Sequence, residues 1–168
     1  LEDSSLNRLL KHQQQLMIMK PKALATLIQT IIAAVEKRVP EYLAVEADQK
    51  NNDGNCALCI VDEAGGVHGK LFGTDKIRQR NTFRIAWIKA SQVWITGYKT
   101  GEFEKLVYAG KVNEHKYGIS KPDFIGWEGG QPIILDKQTK LAVGFSGFRG
   151  TSDLEIVQKA VADVMGRK

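Results

Sequence analysis

Residues 126–155 read GWEGGQPIILDKQTKLAVGFSGFRGTSDLE, and their reading decides the fold. Gly129-Gly130 stands directly ahead of a strand-like run, 131–135, that includes Pro132. A polar turn at 136–139 leads into a return strand, 140–145. Gly147-Phe148-Arg149-Gly150 then delivers the chain to Ser152-Asp153-Leu154-Glu155, the pattern of a capping box at a helix start. Strands joined by so short a turn pair antiparallel. The helix that follows repeats Val157, Ala160, Val161 and Val164 at helical spacing and must bury them. Ala142, Gly144 and Ser146 leave one face of the return strand almost bare, which suits either a flat ligand or a closely packed helix.

Working outward, the same alternation recurs. Residues 22–38 carry Leu24, Leu27, Ile28, Ile31, Ile32 and Val35 at helical spacing, with Pro21 suited to the first turn and Pro40 expected to end the helix. Residues 46–54 are polar and read as a loop. Runs 56–62 and 67–72 form a second hairpin across Glu63-Ala64-Gly65-Gly66. Residues 78–96 make a long helix whose apolar stripe is Phe83, Ala86, Trp87, Ala90, Val93, Trp94 and Gly97. Residues 99–120 are a turn or short helix and then a polar link. The glutamine-rich start, with a possible cap at Ser4 or Ser5, is expected to be an N-terminal helical extension (residues 1–20) ahead of a single domain, 21–168. Helix, hairpin, helix, hairpin, helix implies an α+β fold in which helices cover an antiparallel sheet.

Hydrophobic content of 43% and charged content of 26% suit a globular domain. No apolar run approaches the roughly 20 residues that span a bilayer, so no membrane partner is expected. A net charge of +5 favours an anionic ligand. It does not point to nucleic acid, because the basic residues lack interleaved aromatics on a sheet face. The densest basic cluster, Lys76, Arg78, Arg80 and Arg84, reads as a solvated helix start. Cys56 and Cys59 form a lone CxxC on a strand, where an offset of three points the sulfurs to opposite faces. They read as buried structural thiols and lean towards a reducing, cytoplasmic compartment. The chain opens at Leu1 without a methionine, which leaves open a leader removed from its front.

No G-x-S-x-G elbow, H-E-x-x-H helix or GxxxxGK[ST] loop is present. The nearest approach to an elbow, Gly144-Phe145-Ser146-Gly147-Phe148, has Phe148 where the second glycine is required. What remains is an anion or planar-ligand site at the start of the last helix. Gly147 and Gly150 let the backbone approach a ligand, and Arg149 can give a bidentate contact to a carboxylate. The bland alternative is that the glycines shape the turn and Ser152 caps the helix alone. Lys89, at the edge of the apolar stripe, is expected to be half buried with its head near a cleft or interface. It either snorkels to water or serves as a base or electrostatic anchor. His12, His68 and His115 are the only imidazoles for a metal, and each also reads as a surface or structural residue.

Four blocks in order carry a family resemblance: 57–65 (ALCIVDEAG), 85–91 (IAWIKAS), 129–133 (GGQPI) and 143–153 (VGFSGFRGTSD). The chain resembles the GlcG/HbpS-like family, which also occurs as the C-terminal domain of PduO-type proteins. The resemblance implies a profilin-like α/β/α sandwich with a five-stranded antiparallel sheet. It implies homo-oligomers, commonly tetramers or octamers. It also implies haem binding in some members, sometimes linked to haem degradation, redox sensing or corrinoid metabolism. Gly129, Gly130, Ser146, Phe148, Arg149 and Gly150 become the expected ligand-binding residues, and Lys89 the one candidate catalytic residue. Two departures stand out. Residues 71–75 (LFGTD) lack the arginine the family often has late in its second strand, and Phe148-Arg149 replaces usually small residues. No axial haem ligand carries over. The expectation is a protein that binds haem, a related tetrapyrrole or another anionic small molecule. The alternatives are an enzyme using Lys89 on a small carboxylate or carbonyl compound, and an oligomeric interaction protein without a ligand.

Overall fold

The computed structural model describes residues 19–166. The N-terminal extension and His12 lie outside the described residues, apart from positions 19 and 20. Four strands form one antiparallel sheet, β1 (Cys56–Asp62), β2 (Val67–Phe72), β3 (Gly130–Ile134) and β4 (Lys140–Ser146), in the order β2-β1-β4-β3. Among the described residues the expectation of five strands is therefore corrected to four. The sequence supplies four strand-patterned runs, and the long polar link before β3 adds none.

Central position dictates burial. Along β1, Cys56, Leu58 and Ile60 enter one apolar cluster and Ala57, Cys59 and Val61 the other, so the two thiols do face opposite sides. The first cluster lies under α1 (Pro21–Leu43) and the final helix, α5 (Gly150–Met165). The second lies under α3 (Lys76–Thr96). Between them run α2 (Glu46–Asn51), α4 (Thr100–Tyr108) and a 3-10 turn at Glu114–Tyr117.

Three expectations about helices change. Pro40 does not end α1, which continues to Leu43. Tyr42 is buried and stacks on Phe148 at 5.6 Å, so packing holds the turn that proline weakens. The supposed loop 46–54 contains α2, whose one buried side chain is an acid, Asp48, and which therefore shows no apolar period. Trp87 and Trp94 are 41% and 47% exposed rather than part of the buried stripe. The buried face of α3 instead centres on Ala86, Lys89, Ala90 and Val93. The reason is Gly144: a Cβ there would fall into the backbone of Ala86 and Ala90. The bare face of β4 is thus filled by a close-packed helix.

Candidate functional site

Where β4 ends and α5 begins, a cleft of about 660 Å³ opens. Ser146, Gly147, Phe148, Arg149, Gly150, Lys89 and Asp153 line it, together with Arg84, Thr82, Trp127 and Glu128.

Its wall is built on a buried ion pair. Lys89 Nζ donates to Asp153 Oδ2 at 2.9 Å and to the Phe145 carbonyl at 2.8 Å, and its side chain is 2% exposed. Asp153 Oδ1 accepts from Phe148 N at 2.9 Å. Burial pulls Lys89 downward and pushes Asp153 upward, and each charge opposes the other's shift. Lys89 is therefore fully rather than half buried. Gly129, at φ 119°, makes room for it, since a Cβ would come within 2.7 Å of Lys89 Nζ. Gly129 and Gly130 are themselves buried under α3 and Thr100, and they support the site without lining the cleft.

The helix start is capped differently from the capping-box expectation. α5 begins at Gly150, before Ser152. Asp48, brought in by α2, accepts from Arg149 N at 3.0 Å, Arg149 Nε at 2.9 Å, Arg149 Nη2 at 3.1 Å and Ser152 Oγ at 2.8 Å. Burial raises the Asp48 carboxyl, but these donors outweigh it and hold it below its usual range. The bidentate carboxylate contact foreseen for Arg149 is thus made inside the chain. Phe148 likewise turns its ring into the core, 5.4 Å from Phe145.

Of the cations lining the cleft, Lys89 and Arg149 are paired and Arg84 is left over. Arg78, from the same basic cluster, pairs with Asp53 and Asp75, whereas Arg84 faces the cleft with no ion-pair partner among the described residues. Gly150, the first residue of α5, adds the positive dipole end of a helix start. Sequence reasoning missed Asp48 and Trp127, and took Arg84 only as part of a solvated basic helix start. A tryptophan set between glycines in a polar link was the available signal for Trp127.

The histidines lie elsewhere. His68 sits 3.3 Å from Asp62 at the opposite end of β1, and His115 is exposed beside Glu114 on the 3-10 turn. No cluster of three or more metal-binding side chains occurs among the described residues.

The family model described as haem degrading protein HbpS-like matches residues 29–162. The chain belongs to the HbpS-like family. Among solved structures, it is similar to protein ORFY of Klebsiella pneumoniae, at 22% identity and TM-score 0.61, over 85% of this chain and 90% of that one. A PduOC:heme complex follows at 19% identity and TM-score 0.60, over 82% and 91%. The Ybr137w protein gives 17% and 0.53, over 88% and 79%. At these identities the likeness establishes the fold alone. The search of curated proteins finds no match.

Proposed function

We propose that this HbpS-like protein binds an anionic small molecule in the cleft, with a tetrapyrrole carboxylate of the haem type as first candidate. The observation that carries this reading is Arg84, an unpaired guanidinium facing a cleft whose other wall is the N-terminus of α5. Carboxylates suit both partners. Family membership and the PduOC:heme relative make a tetrapyrrole the natural probe.

The lining residues fit the periphery of such a molecule and not its iron. Haem iron is ordinarily held by His, Cys, Met or Tyr, and among the described residues the cleft lining has none of these. Binding therefore rests on carboxylate contacts. Metal-free protoporphyrin IX and hemin should titrate with affinities within about threefold of one another, and Arg84→Ala should weaken both by about tenfold. Hemin binding with no counterpart for the metal-free ring, or indifference to Arg84→Ala, would contradict the reading. Lys89 serves here as the electrostatic support of Asp153 and the helix start, rather than as a base. Self-association is part of the same proposal: exposed Trp87 and Trp94, two turns apart on α3, offer an apolar strip for a second copy.

A further inference from the structure

The segment leading into β3 holds a large indole in an unusual way. Trp127 is 66% exposed, yet the backbone on which it sits is pinned from both sides. Gln92, buried on α3, donates from Nε2 to the Ile125 carbonyl at 2.9 Å and accepts from Ile125 N at 3.0 Å. Thr100, fully buried at the start of α4, donates from Oγ1 to the Trp127 carbonyl at 2.6 Å. Two buried polar side chains thus fix the main chain of a segment that has no regular secondary structure, while its aromatic side chain stays in solvent at the cleft wall. An exposed indole contributes nothing to the core. A fixed backbone beneath it removes the ordering entropy that a mobile loop would lose on binding.

We infer that Trp127 is the ring-recognition residue of the cleft: its indole stacks on the face of a flat conjugated ligand whose carboxylate is held by Arg84. This inference rests on the reading above and narrows it, because a lone guanidinium accepts any carboxylate whereas an indole face selects planar, polarisable ones.

The test is a fluorescence titration of metal-free protoporphyrin IX into the full chain and into Trp127→Ala, Trp127→Phe, Arg84→Ala and, as a control at an exposed aromatic outside the cleft, Tyr108→Ala, each checked for an unchanged thermal melt. The inference predicts that Trp127→Ala binds about tenfold more weakly, that Trp127→Phe stays within about threefold, and that Tyr108→Ala matches the parent. Equal affinity for Trp127→Ala and the parent, with Arg84→Ala still weakened, overturns the role of Trp127 and leaves the anion site standing. Absence of saturable binding by the parent overturns both.

Discussion

At the scale of single residues, the acid that organises the helix start is the most consequential. Asp48 gathers Arg149 and Ser152 onto one buried carboxylate. Its folded-state pKa lies below the ordinary 3.8, so its contribution to stability is fully present above that value and is lost as pH falls through the depressed one. Urea unfolding followed from pH 6 to pH 2.5 should show a falling midpoint on the acid side. Asp48→Asn should flatten that limb and, at neutral pH, lower stability by roughly 2 kcal/mol. An acid limb as steep in the variant as in the parent would contradict the assignment. The Lys89–Asp153 pair makes a second prediction. Lys89→Met or Asp153→Asn alone strands a buried charge and should destabilise by about 3–5 kcal/mol. The double variant should recover about 2 kcal/mol of the summed loss, measured as a double-mutant cycle by denaturant unfolding. Strict additivity would mean that the two groups do not interact. Sequence reading found Lys89 and Arg149 as residues of interest and brought both to the cleft, but not their partners, because a side chain's partner is set by distant elements. Arg149 meets an acid 101 positions away, and nothing local distinguishes it from Arg84.

Elements were more legible than partners. The hairpins, the long helices and the opposite-facing thiols follow from period two and period 3.6 in the sequence. Residues 46–54 failed as a reading because α2 buries an acid and so has no apolar stripe to detect. The stripe predicted on α3 is too broad, since tryptophans at helical spacing look like core, whereas the surface opposite is the bare Gly144. That surface gives the prediction at this scale. Gly144→Ala places a methyl group inside the backbone of α3, and the helix must move away from β4. A loss of about 2–3 kcal/mol in unfolding free energy is expected, with weakened ligand binding because Lys89 travels with the helix. A neutral outcome would show that the layer spacing is softer than the packing implies.

For the whole molecule, the layered arrangement of helices on both faces of an antiparallel sheet was legible from the order of elements. The fifth strand was not in the residues at all and came only with the family resemblance. Each apolar cluster is closed by its own helices, and the features left on the surface include the cleft and the Trp87–Trp94 strip of α3. If the strip is a self-association surface, Trp87→Glu combined with Trp94→Glu should lower the mass found by sedimentation towards that of one chain. An unchanged mass would remove α3 from the interface. The central claim, that one anionic ligand occupies the cleft between Arg84 and the N-terminus of α5, is tested most directly by amide and indole chemical-shift mapping during titration with metal-free protoporphyrin IX. Saturable shifts centred on Arg84, Gly147, Gly150, Thr151 and the Trp127 indole are the predicted result. Shifts confined to Trp87, Trp94 or the neighbourhood of His68 would contradict it.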